Sequence, residues 1–351
     1  MMLQGHFIDT LLAIEYRDPD NIAYSTWLYF RGITAPVFFT ISGLIFTYLL
    51  IKAKEKGTLS IRIRKGLVRG LMLIGIGYAL RIPIFRWLTG KFGTYFMVID
   101  VLQCIGLSLI LIVCIYLLAR KKTLIFSVVM LCLGTLIFLC EPLFRTYSAE
   151  RIPLFFANYL TKVNGSVFTI LPWFGYMAYG AFIATLFYGY LTRPKFKTGL
   201  ITGFFVTGLI LVYGSTPVFL ELAKLINWTL LTEVANFNYL FIRLGNVLVI
   251  FGLFYAFEDY LKQPVVLIIG QKTLSIYVIH FILLYGSFTG LGLNQILGKV
   301  LTPFEVVFGA ICFLVTVSLI SIYIIKANTH IYKYIIDKLH YLKSLTKFLN
   351  N

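Results

Sequence analysis

Charge is scarce: 13% of the 351 residues are Asp, Glu, Lys or Arg, against 59% hydrophobic, and the mean hydropathy is +0.88. That balance excludes an ordinary soluble domain. Acidic residues are fewest, 14 against 31 basic, for a formal net charge of +17. The Lys and Arg residues nevertheless lie in short loops between apolar runs rather than on one amphipathic face, so no nucleic-acid partner is expected. Cysteine is limited to Cys104, Cys114, Cys132, Cys140 and Cys312, all inside apolar runs and without CxxC spacing. Neither a disulfide framework nor a zinc site follows, and no metal is expected. HExxH, GxSxG and a glycine-rich phosphate loop after a strand are also lacking. Residues 1–14 lack the basic start of a cleavable signal and carry His6 and Asp9 in the would-be apolar stretch.

What the chain has is apolar runs of crossing length. A helix needs about 20 such residues to span the hydrocarbon core, and runs fall at 27–51, 67–87, 95–119, 123–140, 167–191, 198–220, 239–261, 265–286 and 303–325. Residues 1–14 read as the outer end of one further helix whose remainder lies upstream. The expected fold is therefore all-α, a polytopic bundle of about ten transmembrane helices in the lipid bilayer. Its domains are a membrane domain over 1–325 and a basic tail over 326–351, whose apolar residues from Ile331 to Leu345 recur at helical spacing.

Orientation follows from the excess of Lys and Arg in cytoplasmic loops. Lys52, Lys54, Lys56, Arg62, Arg64, Lys65 and Arg69 surround the first full turnaround. Alternate loops repeat the signal with Arg120, Lys121 and Lys122, with Arg193, Lys195 and Lys197, and with Lys262 and Lys272. The other loops, 141–166 and 221–238 among them, mix fewer cations with Glu141, Glu150, Glu221 and Glu233. Both termini are thus expected in the cytoplasm, and the location is a cell membrane, the cytoplasmic one in a bacterium.

Ionisable groups inside a span are costly and mark sites. On this topology His6, Asp9, Arg31, Arg81, Asp100, Arg243, Asn246 and His280 all fall toward the outer leaflet, as a shared outward-opening polar cavity requires. His6 and Asp9, three apart, share a helix face, either as a base and the carboxylate that orients it or as a bond tying the helix end down. Arg81 and Asp100 either neutralise one another or anchor substrate. Arg31 has no obvious local partner, which an anionic or carbonyl ligand would supply. Arg243 and Asn246 share a face from which either donates to an oxyanion or a sugar hydroxyl, or meets a carboxylate of another helix. His280 is either a satisfied interior histidine or part of the site. Pro36 and Pro172 are expected to break helical bonding at membrane depth, with Trp173 beside the second break as a further substrate contact. Gly175, Gly180, Ala181 and Ala184, with Gly75 and Gly77, are expected to permit close helix packing.

The segments Leu3-Gln4-Gly5-His6-Phe7-Ile8-Asp9 and Trp27-Leu28-Tyr29-Phe30-Arg31-Gly32-Ile33-Thr34-Ala35-Pro36-Val37-Phe38-Phe39-Thr40-Ile41-Ser42-Gly43 resemble the heparan-α-glucosaminide N-acetyltransferase-like proteins. These form part of a wider group that includes the acyltransferase 3 proteins of bacterial envelopes. The likeness continues through Arg69-Gly70, Tyr78-Ala79-Leu80-Arg81, Asp100–Gly106, Leu171-Pro172-Trp173-Phe174-Gly175-Tyr176 and Gly270–His280. It implies a ten- or eleven-helix bundle that moves an acyl group, acetyl above all, from cytoplasmic acyl-CoA to a hydroxyl or amine of a glycan on the far side. The essential histidine at the end of the first helix is, by resemblance, His6, acting as base or acyl carrier, and the family pattern places an Arg-Gly pair upstream of it. Acetyl-CoA would enter at the basic inner face, its phosphates meeting Lys65, Arg69, Arg120 and Lys121. Two rival readings stand beside this: a secondary transporter or flippase with the polar cluster at its centre, and a non-catalytic membrane component of an envelope assembly. An oligomer is compatible with any of them.

Overall fold

Long apolar stretches separated by short basic or glycine-containing turns fold as helices throughout the computed structural model, which describes residues 1–323. The tail expected as an amphipathic helix at 330–351 lies outside the described residues. Among the described residues the only strand-like pairing is an isolated parallel bridge between Leu12 and Leu301. Among the described residues six helices are long and apolar enough to cross a membrane: Ile22–Glu55, Thr94–Leu118, Ile170–Tyr190, Phe196–Ile226, Tyr239–Ala256 and Pro303–Tyr323. A seventh is counted if Pro264–Gln271 and Thr273–Tyr285, bent by 65° at their junction, form one span. This is a polytopic membrane protein.

Several expected boundaries move, each for a local reason. The run expected at 67–87 folds as Leu59–Ala79, drawing Arg62, Arg64, Lys65 and Arg69 into the helix. It stops early because Pro83 disfavours helical backbone at Ile82, and only a short Ile84–Leu88 turn follows. Thr123–Leu139 has 17 residues, about 26 Å at 1.5 Å per residue. Pro172 does not kink a span. Leu171 is extended at φ −104° and ψ 124°, so the regular helix starts at the proline, where a missing N–H costs nothing. Pro36 does lie inside its helix, Ile22–Glu55, and deprives the Gly32 carbonyl of its helical donor. Within Phe196–Ile226, residues Ile210–Gly214 form a π turn.

The described residues form two compact units, Pro19–Glu258 and a second made of Met1–Asp18 with residues 259–323. The larger is assembled by glycines that bring helix backbones together, since lipid offers no hydrophobic drive to separate helices. A Cβ on Gly180 would strike the Thr40 carbonyl, and one on Gly43 the Met177 carbonyl, so Ile22–Glu55 and Ile170–Tyr190 touch backbone to backbone. Gly70 and Gly106 do the same for Leu59–Ala79 and Val101–Leu118, where a Cβ would come within 2.7 and 2.5 Å of the opposite carbonyl. Gly208 and Gly245 repeat the device at 2.8 and 2.6 Å. Gly175 and Gly77 are equally confined, against Phe138 and Gln103, whereas Gly75 faces open space and packs against nothing.

In the smaller unit Met2–Leu11 is a short helix whose end is tied to the approach of the last span. Ala13 N–H donates to the Leu301 carbonyl at 2.9 Å and Leu301 N–H to the Leu11 carbonyl at 3.0 Å. Phe7 lies over Gly309, where a Cβ would come within 2.9 Å of its ring, and packs on Phe313 with centroids 5.2 Å apart. Arg17 folds back to donate to the carbonyls of Asp9 and Leu12, both at 2.8 Å, satisfying groups that a helix end leaves open.

Candidate active site

Fixing Phe7 against the last span turns the preceding side chain, His6, toward Thr273–Tyr285. The His6 and His280 rings stack with centroids 5.3 Å apart and an interplanar angle of 26°. The Tyr285 hydroxyl meets His6 Nδ1 at 3.1 Å. His280 is fully buried; its Nδ1 lies 3.3 Å from the Ile276 carbonyl one turn back, and the Tyr277 ring meets it edge-on at 5.0 Å. Asp9 lies one turn on, 4.0 Å from Arg17. When the Tyr285 hydroxyl accepts from Nδ1–H, the His6 Nε2 lone pair is left to take a proton. Tyr285 went unnoticed in sequence because its partner is 279 positions away; its spacing of five from His280 was the available signal.

The remaining candidates belong to the larger unit. Arg81 donates to Asp100 at 2.8 Å, with side chains only 7% and 16% exposed, and its guanidinium lies over the Tyr95 ring. Asp100 also caps Val101–Leu118: its carboxylate accepts from Val101 N–H, and the Gln103 side chain reaches back to Asp100 N–H. The two residues therefore neutralise one another. Asn246 accepts from the Tyr29 hydroxyl at 2.7 Å. Arg31 lies over the Trp27 ring. Trp173 is wedged among Phe39, Phe168 and Tyr176, with its indole N–H buried and without a partner among the described residues.

Arg243 makes no ion pair among the described residues. Its guanidinium lies over the Tyr239 ring at 5.1 Å and against the backbone at Gly32, 3.3 Å from where a Cβ would stand. The Tyr239 hydroxyl in turn donates to Glu141 at 3.3 Å. Glu141 is buried and held by Arg145 one turn on, whose Nε donates at 3.2 Å. That hydrogen bond raises Arg145 above the usual guanidinium range. Glu141 and Arg145 also line a small cavity with Lys162, Thr169, Leu171 and Pro172. Lys162 is exposed at the mouth of this cavity; partial desolvation still lowers its ammonium from the ordinary value, Glu141 opposing this and Arg243 adding to it. None of Glu141, Arg145, Lys162 and Tyr239 stood out in sequence, where the first three read as loop charges. The Glu141/Arg145 spacing of four was the available signal.

Lys65 and Arg69 are exposed on Leu59–Ala79, and Arg120 and Lys121 in the left-handed turn that follows Val101–Leu118. Lys54 donates to the Lys121 carbonyl at 2.8 Å, drawing two basic segments together. Arg62, over the Phe46 ring, has a buried Nε without a partner among the described residues.

A family model described as heparan-alpha-glucosaminide N-acetyltransferase, catalytic, matches residues 1–223. Its range includes His6, Asp9, Arg31, Arg81, Asp100 and Trp173 and ends before Arg243, Asn246 and His280. No curated protein and no solved structure matches the chain.

Proposed function

The chain belongs to the heparan-α-glucosaminide N-acetyltransferase catalytic family, and on that premise we propose that it transfers an acyl group, acetyl first of all, from acyl-CoA to a hydroxyl or amine of an extracytoplasmic glycan. The observation that carries this is the histidine pair: His6 stacked on buried His280 and held at Nδ1 by Tyr285. In the step, His6 Nε2 takes the proton of the acceptor O–H or N–H as that atom bonds to the acyl carbon. The C–S bond then breaks, and the CoA thiolate leaves and is reprotonated. Tyr285 and His280 hold the ring, while Asp9 joins Arg17 in fixing the end of the helix that carries it.

Acyl-CoA is read as entering from the cytoplasmic face. Lys65, Arg69, Arg120 and Lys121, with the unpartnered Nε of Arg62, offer donors for its phosphates. The acceptor is assigned to the opposite face, where the Trp173 indole N–H and the Asn246 amide offer donors. The topology that fits is ten crossings with both termini in the cytoplasm of a cell membrane. A transporter has one supporting observation, the 65° break between Pro264–Gln271 and Thr273–Tyr285. Transporters of that kind pair broken helices in two related halves, and the described residues hold one such break.

The test is transfer of radiolabel from acetyl-CoA to glycan in membranes holding the full chain. His6→Ala protein of unchanged thermal midpoint is expected to lose transfer by about 10²-fold or more. Undiminished transfer removes His6 from the chemistry, and absence of transfer in the wild type removes the acyltransferase reading.

A further inference from the structure

The segment joining Leu59–Ala79 to Val101–Leu118 lies at the ends of these helices opposite Lys65 and Arg120, which is the outer side on the topology read from charge. We propose that residues 84–97 form an interfacial contact that lies in the headgroup layer of that leaflet and gathers anionic phospholipid there.

The segment turns its apolar side chains outward. Phe85, Leu88 and Phe92 are 58%, 76% and 78% exposed, and Tyr95 is exposed beside them. This exposure is built into the fold of the segment. Trp87 fills its inside, edge-on to Phe96 with centroids 5.2 Å apart and 6.2 Å from Phe92. The Lys91 N–H closes back onto the Arg86 carbonyl at 2.9 Å, and Gly90, at φ +76°, makes that turn. The Arg81–Asp100 pair shuts the base. Along Ile84–Leu88 the helical period puts Ile84, Phe85 and Leu88 on one side and Arg86 on the other. Large apolar groups held outward together mark a surface that meets something apolar. For a segment tied to the ends of two membrane helices, the acyl boundary of the bilayer is the apolar phase within reach.

Charge selects the lipid. Outer loops are ordinarily poor in Lys and Arg, and 141–166 and 221–238 set glutamates against theirs. Between Arg81 and Asp100 stand two cations, Arg86 and Lys91, and no Asp or Glu. Both are exposed, and neither makes an ion pair among the described residues. Apolar burial combined with attraction of basic residues to anionic headgroups is what holds amphipathic segments to a membrane surface. A sugar would call for an outward Trp face, whereas Trp87 is turned in and the exposed surface is mainly Phe and Leu.

Two measurements on the full chain in nanodiscs test this, and neither depends on acyl transfer. In the first, phosphatidylcholine discs carry a small fixed fraction of dibrominated phosphatidylglycerol or of dibrominated phosphatidylcholine, and the signal is the part of the tryptophan fluorescence that Trp87→Phe removes. The anionic lipid is expected to reach half-quenching at a fraction about fivefold lower or more, the worth of one cation at an anionic surface, and this advantage is expected to vanish in Arg86→Gln/Lys91→Gln. Equal quenching by the two lipids in wild type overturns the choice of anionic lipid, and quenching by aqueous iodide but by neither lipid overturns the interfacial placement. Relief of iodide quenching by chitotriose, without any effect of brominated lipid, gives the patch to a glycan and overturns the proposal as well. In the second, which needs no tryptophan variant, amide hydrogen exchange over 84–97 is followed in discs with and without phosphatidylglycerol. Exchange is expected to slow several-fold in its presence in wild type and not in Arg86→Gln/Lys91→Gln; a rate indifferent to the lipid overturns the proposal.

Discussion

Replacing Asp100 by asparagine separates the two roles that residue holds. Asparagine caps a helix about as well as aspartate, so the start of Val101–Leu118 is retained while the charge opposite Arg81 is lost. At 2.8 Å and an effective dielectric near 20, the gross Coulomb attraction is about 6 kcal/mol. Desolvation of both groups takes back most of it, so the intact pair contributes little net stability. Removing one partner is different, because it leaves the Arg81 guanidinium, 7% exposed, uncompensated. Asp100→Asn is therefore expected to cost about 3–5 kcal/mol, and Asp100→Ala about 1 kcal/mol more for the lost cap. The double variant Arg81→Met/Asp100→Asn is expected to recover most of the loss. The assay is unfolding of the purified protein in mixed micelles, followed by circular dichroism. A cost below about 1 kcal/mol for Asp100→Asn, or a double variant no better than the single, refutes the reasoning. A raised acceptor KM in a fully stable double variant would instead assign the pair to substrate anchoring.

Tyr285→Phe is expected to lower kcat about tenfold with little change in KM, the worth of one hydrogen bond near 1.4 kcal/mol; an unchanged kcat removes Tyr285 from the positioning of His6. Gly180→Leu places a side chain where the Thr40 carbonyl stands and is expected to cost about 3 kcal/mol or more, read as loss of monodisperse protein on size exclusion. Gly75→Ala, with open space around it, is expected to stabilise by about 0.5–1 kcal/mol, read as a raised thermal midpoint. Lys162 titrates below the ordinary lysine value of 10.5 because desolvation disfavours its charge. The fold should accordingly gain stability as pH rises from that lowered value up to 10.5, the window in which the unfolded chain holds the extra proton, read as a rising thermal midpoint. A midpoint that rises no further in wild type than in Lys162→Gln over that window would count against the assignment.

Hydropathy made each long apolar helix visible, because burial in lipid is a property of composition and needs no partner, whereas short helices such as Leu154–Leu160 and Thr229–Asn236 gave no such signal. Boundaries were less legible: the shift of the second long run to Leu59–Ala79 depends on how far four cations are drawn along the membrane surface, and the 65° bend at Lys272 on what packs against either half. His6 and His280 were legible as costly groups in apolar surroundings. Their stacking was not, since it joins opposite ends of the chain. The Glu141–Tyr239–Arg243 sequence of contacts escaped for the same reason, as each link crosses between helices remote in sequence. Arg81 and Asp100 stood open between two roles until the capping box gave Asp100 a structural one. Gly75 and Gly77 are indistinguishable as letters, yet only Gly77 faces a neighbouring helix.

The pairing of residues 11–13 with Leu301 sets an order on biosynthesis. The segment bearing His6 leaves the ribosome first, while the stretch that holds its carbonyl and amide follows about 290 residues later. At 5–20 residues per second this is a delay of about 15–60 s, through which the nascent helix waits in or near the translocon without its histidine partner, its tyrosine or its hydrogen-bonded seat. Chains released before Leu301 would carry every cationic loop of the larger unit and still lack the hydrogen-bonded seat of the helix that bears His6.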